Sequence, residues 1–575
     1  MCFKRLSNLS LGLFALLVAC GDNSTADMVL KNGRIVTLDS SVPETQALAI
    51  RDGRIIALAT DDAELDALIG DDTEVIDLEG RLAIPGFIEG HAHFTSLGES
   101  LQILDLKNIE SWEDAVAMVR EAVAQAEPGE WILGRGWHQE KFEISGATVE
   151  GFPTHQRISE VSPDNPVCLT HASGHACFFN QKAMDLASIT PETANPAGGE
   201  IIKDAGGQPI GVFRERAQDL VKDVHMAELA QRSPEQVELD LRRTLKLADE
   251  ECMQNGVTSF QDAGSPFSTI DTMKAMAESG ELSTRLWVMI RESNSQLAEK
   301  LDAYRMIGEA DNRLTVRAIK RAMDGALGSR GAWLLEPYAD SPESTGLNTD
   351  TVEDVTETAR LAAEHGYQLC VHAIGDRANR ETLDIFERTF SSNPALTDLR
   401  WRIEHAQHIS AEDIPRFGQL GVVASMQGVH CTSDAVYVLA RLGEERAEAG
   451  AYVWQKLMQS GALVSNGTDA PVEDVSPIEN FYATVSRRLA DGSLFFADQK
   501  MSRIEALESY TINAARAAFE EDIKGTLSIG KLADVVVLSK DILEIPENEI
   551  LDAQIVYTIV GGEVRYRNDA FVNGN

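Results

Sequence analysis

The sequence predicts an α/β protein: a (β/α)8 TIM-like barrel, a small β-sandwich built from both chain ends, and a subdomain inserted after the first barrel strand. Three observations carry this expectation. Eight short apolar runs recur through the middle of the chain, most of them separated by amphipathic helical stretches. Hairpin-punctuated β patterns occupy both ends of the chain. The stretch of about 98–255 is far too long for an ordinary connection between the first two barrel strands.

With 575 residues, 43% of them hydrophobic, the chain can bury a large core in more than one domain. Its formal net charge of -40 repels phosphate backbones, so no nucleic-acid partner is expected. The first residues form a segment apart. Lys4 and Arg5 precede an apolar core, Leu9–Ala19, that is too short to span a bilayer comfortably. It closes in Leu17-Val18-Ala19-Cys20, which resembles a bacterial lipoprotein signal over 1–20 with Cys20 as the lipidated residue. Residues 21–27 then serve as a tether. The expected location is the periplasmic side of a membrane, reached by export and held through the lipid. Of seven cysteines, the five outside this segment (Cys168, Cys177, Cys252, Cys370 and Cys431) form no disulfide framework and are expected as small buried residues.

The chain ends come next. Residues 28–81 read as strands turned at Asn32-Gly33 and Asp52-Gly53, and 525–575 repeats the texture around Gly561-Gly562. The two segments are expected to form one composite sandwich. The barrel then spans 82–524, with strands expected at 82–88, 257–261, 285–290, 314–319, 367–372, 400–404, 421–426 and 462–467. Thr351–His365 and Ala378–Phe390 read as its outer helices. The insertion, about 98–255, is expected to hold helices at Trp112–Ala126 and Pro234–Cys252 around a Gly-rich region.

Ligand-type residues gather at the C-terminal ends of these strands, where barrels site their chemistry. His91 and His93 follow the first strand, two apart and so on one face. Lys320 ends the fourth, His372 the fifth, His405 the sixth and Asp469 the eighth. Each one singly reads as a hydrogen-bonded core or loop residue, and Lys320 as a buried stem with a paired ammonium. Together they read as a metal centre of imidazole and carboxylate ligands, suited to zinc before manganese or iron. Lys320 would join it as a carbamate formed with CO2, bridging two cations. Such a pair activates water to hydroxide and polarises a carbonyl, while Asp469 takes and returns the proton. From spacing alone, His408 rivals His405 as the ligand.

The motifs PGFIEGHAHF, KRAMDGALGSRGA, VHAIGDRAN, WRIEHAQ, ASMQGVH, NGTDAPV and GTLSIGKLADVVVL resemble the amidohydrolase superfamily. Within it they are similar to amidohydrolase family 3, the YtcJ-like group that includes N-substituted formamide deformylases. The resemblance implies that His91 and His93 bind one metal with Asp469, and that His372 and His405 bind the other. It makes Lys320 the carboxylated bridge and leaves His408 a supporting residue. It also implies pocket or supporting roles for His175, Asp324, Arg330, Asp376, Arg377 and His430. Three departures stand out: Gly428 where the family has proline, His138 where it has an acid, and Ser173 where it has aspartate.

The reading is a metal-dependent amidohydrolase that cleaves a non-peptide C–N bond of a small molecule, with catalysis resting on Asp469 and Lys320. Its cofactors would be two divalent ions, zinc first, with CO2 held as the carbamate. An esterase or lactonase on the same site, or a solute-binding lipoprotein without turnover, are the alternatives. A homodimer is the assembly that base rates favour.

Overall fold

The computed structural model describes residues 25–572, apart from 108, 138, 140–143, 145, 147, 172–175, 197–198 and 329. Eight parallel strands form the central sheet: β1 (Phe87–Ala92), β2 (Val257–Ser265), β3 (Arg285–Ile290), β4 (Leu314–Ala322), β5 (Gln368–Ala373), β6 (Arg402–His405), β7 (Val423–Gln427) and β8 (Val464–Gly467). They pair in sequence order from β1 to β8. The seam closes beyond the strand ends, where Asp469 N donates to His91 O at 2.8 Å and His93 N donates to Ala470 O at 2.8 Å. This is a TIM-like barrel. Gly90 sits on the seam, where a Cβ would come within 2.3 Å of Asn466 O, so a side chain there would hold β1 and β8 apart.

Buried β-branched and aliphatic runs explain the strands. Arg285–Ile290 is buried along its whole length, as a parallel strand covered on both faces must be. The outer helix Val352–His365 begins on a side-chain cap, where Thr351 Oγ1 accepts from Asp354 N. The expected strand 82–88 is two strands. Leu82–Pro85 pairs with Val535–Leu538 outside the barrel, and Phe87 opens β1. Between them Gly86 N donates to Asp534 O, and a Cβ on Gly86 would strike the Thr258 side chain.

The chain ends build two further sheets. One has the order Arg54–Ala59, Ala47–Arg51, Met28–Lys31, Glu74–Asp77. The other runs Glu563–Arg567, Ile555–Val560, Val535–Leu538, Leu82–Pro85, Arg34–Val36, Glu44–Thr45. One apolar cluster joins them, with Leu30, Ile50 and Ile76 from the first meeting Ile35, Val535 and Ile559 from the second.

The long segment after β1 contains more than helices. Its strands Leu104–Asp105, Ile132–Trp137, Val167–His171, Ala176–Phe179, Pro209–Glu215 and Gly199–Lys203 form a mixed sheet with its own apolar clusters. Period-2 alternation is weak in these buried runs, so the sequence pattern showed the flanking helices and missed the sheet. Helix Pro234–Gln254 belongs to the barrel wall instead. Its Leu245, Ala248, Cys252 and Met253 lie in the barrel's apolar cluster. Among the described residues no helix is long and apolar enough to cross a membrane.

Candidate metal centre

The ladders set the rim. Ala322 pairs with His372 and Ala373 with His405, so β4, β5 and β6 end level with one another. At the rim the backbone turns left-handed: φ is 74° at His405, 45° at Ala406 and 61° at Asp469. Non-glycine residues pay for that conformation, and they do so here where side chains must leave the strand for the barrel axis.

His91, His405 and Asp469 each place a ligand atom within 4.8 Å of the others, and all three are buried. His91 Nδ1 donates to Glu404 Oε2, so its Nε2 carries the free electron pair. That Nε2 lies 3.6 Å from Asp469 Oδ1 and accepts from Lys320 Nζ at 3.3 Å. His405 Nδ1 donates to Gln427 Oε1 at 2.8 Å, which frees its Nε2 in the same way. Its ring centroid lies 4.7 Å from that of His91 and 4.4 Å from that of His372. His93 Nε2 stands 3.3 Å from Asp469 Oδ1, and His372 Nε2 has no hydrogen-bond partner among the described residues. Electron pairs thus converge on a buried point with few protons between them. Neutral imidazoles and a carboxylate so placed repel one another unless a cation lies among them. The donor set fits a divalent metal.

The electrostatics agree. Burial drives His91 down to about 4, with Lys320 adding to the effect, so the ring is a neutral ligand at ordinary pH. Burial opposes ionisation of Asp469, yet His93, His405 and His91 outweigh it and hold the carboxyl well below its usual range. Lys320 is also lowered: burial acts against the ammonium, and Glu404 and Asp469 only partly offset it.

Behind the ligands lies a polar network inside the barrel. Arg402, fully buried, donates to Glu404 Oε1 at 2.7 Å, to Gly90 O at 2.7 Å and to Ser425 Oγ at 2.8 Å, and also to Gln261 Oε1. Glu89 accepts from Thr468 N at 2.7 Å and Thr468 Oγ1 at 3.0 Å, tying β1 to β8; burial raises it to about 8. Sequence reasoning assigned nothing to Arg402, Glu404 or Glu89. The available signal was three charged residues on barrel strands, within the quoted motifs FIEGH and WRIEH.

The remaining candidates divide. His430 joins the cluster, with Nε2 3.9 Å from Asp469 Oδ2 and Nδ1 accepting from Gln407 Nε2 at 3.0 Å. Asp324 lies 3.5 Å from His372 Nε2 and accepts three backbone amides, from Trp333, Ile374 and Gly375. Burial still pushes its carboxyl up to about 7. Arg330, Asp376 and Arg377 are engaged away from the cluster. Arg330 pairs with Asp340, Asp376 accepts from Leu335 N, and Arg377 pairs with Glu381 beneath the Trp333 ring. His408, the spacing rival, is buried with neither ring nitrogen hydrogen-bonded among the described residues, and lies against Tyr452. His175, His138, Ser173 and Cys20 lie outside the described residues.

Comparison with known proteins places this geometry. The family model described as "Amidohydrolase family" matches residues 74–566. "Protein LONG AFTER FAR-RED 3" of Arabidopsis thaliana is 34% identical over 94% of this chain and 92% of its own. "N-substituted formamide deformylase" of Arthrobacter pascens is 26% identical over 94% of this chain and 98% of its own. Among solved structures, an uncharacterized metal-dependent hydrolase from Pyrococcus horikoshii OT3 superposes with a TM-score of 0.72 at 27% identity. That likeness covers 91% of this chain and 99% of the other.

Proposed function

The chain belongs to the amidohydrolase family and is a hydrolase, and from that premise we propose that it cleaves a C–N bond of a small amide or formamide-type molecule. The convergence of His91, His405 and Asp469 on one buried point, each with its ligand atom aimed inward, carries the reading. His91, His93 and Asp469 would hold one divalent ion and His372 and His405 a second, with zinc best matched to the donors. Lys320 would lie between them as its carbamate. Its lowered pKa supports this, because only a neutral amine adds to CO2. A carbamate also supplies the two oxygens and the negative charge that a pair of cations requires.

When bound, such metals polarise a carbonyl and bring the pKa of a held water towards neutrality. The protein's own groups do the rest. Asp469, ionised at neutral pH, accepts the water proton and delivers it to the departing nitrogen. His430 Nε2, with Nδ1 held by Gln407, is free to donate to a substrate oxygen. Glu404 and Gln427 keep His91 and His405 in the ligating tautomer. The Arthrobacter relative, named for N-substituted formamides, supports testing that class first.

We extend the proposal to layout and location. The shared apolar cluster supports a single β-sandwich made of both chain ends, and the Leu17–Cys20 pattern supports an exported protein tethered to a membrane through Cys20.

The test is metal analysis of the purified protein together with a panel of N-substituted formamides, other small amides and matching esters. Turnover of amides, bound metal, and loss of turnover in Asp469→Asn are expected. Turnover confined to esters would replace the C–N assignment, and an unimpaired Asp469→Asn would remove Asp469 from catalysis.

A further inference from the structure

Two cysteines that are nine residues apart in sequence meet in the sheet of the inserted segment. Cys168 lies on strand Val167–His171 and Cys177 on the antiparallel strand Ala176–Phe179. The register pairs Cys168 with Phe179 and Thr170 with Cys177, so the two thiols are diagonal neighbours on one face of the sheet. Their sulfurs stand 2.9 Å apart, closer than two non-bonded sulfurs rest, and the Cys177 thiol also faces Leu169 O at 3.3 Å. Both are buried within an apolar cluster that includes Phe179 and Phe213. Three other described cysteines (Cys252, Cys370 and Cys431) are likewise free and buried, but none of them has a thiol partner.

We propose that Cys168 and Cys177 form a redox-active dithiol that closes into an intramolecular disulfide across this strand pair. The register puts both side chains on one sheet face, and their sulfurs, 2.9 Å apart, need only a short further approach to reach an S–S bond of about 2.05 Å. The chemistry is exchange with a low-molecular-weight disulfide. The Cys168 thiolate attacks one sulfur of oxidised glutathione, forming a mixed disulfide and releasing one glutathione thiolate. The Cys177 thiolate then attacks the Cys168 sulfur of that mixed disulfide, forming the internal bond and releasing the second glutathione. Two cysteine sulfurs are oxidised, one glutathione disulfide is reduced to two thiols, and the two cysteine protons end on those thiols. Cys168 suits the attacking role. The hydrogen bond from Cys177 lowers its pKa, burial opposes this, and the Lys222 ammonium adds to the lowering. Cys177 is the resolving partner, raised by burial and by its neighbour.

The bond would tie together the two strands that flank residues 172–175. Its formation does not depend on the catalytic reading, because neither cysteine touches the metal cluster.

The experiment incubates the full chain with oxidised or reduced glutathione. One arm is run in native buffer, and a second in sub-denaturing urea so that local opening admits the reagent to the buried pair. Each sample is then denatured, alkylated with N-ethylmaleimide and mapped by proteolysis and mass spectrometry. The oxidised sample should lose two alkylation sites, yield a Cys168–Cys177 cross-linked peptide and unfold at a higher temperature than the reduced sample. Cys177→Ser should stop at a single glutathione adduct on Cys168. Full alkylation of both cysteines in both oxidised arms would overturn the proposal. So would cross-links that join either cysteine to another partner. Hydrolytic activity measured alongside separates this outcome from that of the proposed function.

Discussion

Glu404→Gln is the sharpest probe of the network behind the metal cluster. The substitution keeps side-chain volume and one carbonyl acceptor, and removes one buried negative charge. Glu404 receives two hydrogen bonds from Arg402, at 2.7 and 3.0 Å, and one from His91 Nδ1. Although burial opposes its ionisation, Arg402 and His91 hold it well below the usual carboxylate range. Breaking a buried ion pair by removing one partner costs about 3–5 kcal/mol, because the other charge is stranded. Arg402 keeps three neutral acceptors on Gln261, Gly90 and Ser425, which places the loss near the lower end, at about 3 kcal/mol. His91 loses the anion that fixes its tautomer, so metal affinity should fall by about 10–100-fold. Urea unfolding of the metal-free protein measures the first quantity, and competition with a chelator the second. A stability loss under about 1 kcal/mol with unchanged metal affinity would refute the reasoning, since it would mean that the pair neither balances Arg402 nor orients His91.

Three other perturbations test separate parts of the account. Lys320→Met should lose most bound metal and activity while keeping the fold, and Lys320→Glu should recover part of the metal by restoring a carboxylate; full metal content in Lys320→Met would exclude the bridging carbamate. His408, driven to about 3 by burial, refuses in the folded state a proton that the unfolded chain accepts below its ordinary value of 6.5. Its contribution is therefore present above that value and is lost as pH falls towards 3, by about 2 kcal/mol at pH 5. His408→Leu should narrow the gap between urea midpoints at pH 7 and pH 5, and an unchanged gap would show that His408 takes its proton without cost. Cys20→Ser should move the protein from the membrane fraction to the soluble one or leave its leader uncleaved; unchanged attachment with a processed leader would rule out the lipid anchor.

The barrel was legible in the sequence because eight buried parallel strands leave eight apolar runs, and because a barrel concentrates its reactive groups at one end of those runs. His91, His372, His405 and Asp469 could therefore be nominated from their position after apolar segments, without knowledge of their contacts. Three things waited for the tertiary structure. The division of 82–88 at Gly86 depends on partners remote in sequence, because Leu82–Pro85 lies between Arg34–Val36 and Val535–Leu538, near opposite ends of the chain. The physical reason for preferring His405 to His408, a preference that only the family resemblance had supplied, is the left-handed turn at His405 and Ala406, which sends one imidazole to the metal cluster and the other into packing against Tyr452. The pairings of Arg402 with Glu404, Glu89 with Thr468, and Cys168 with Cys177 depend on register. Alternation along a strand tells which face a residue shares, and only the neighbouring strand decides what it meets there.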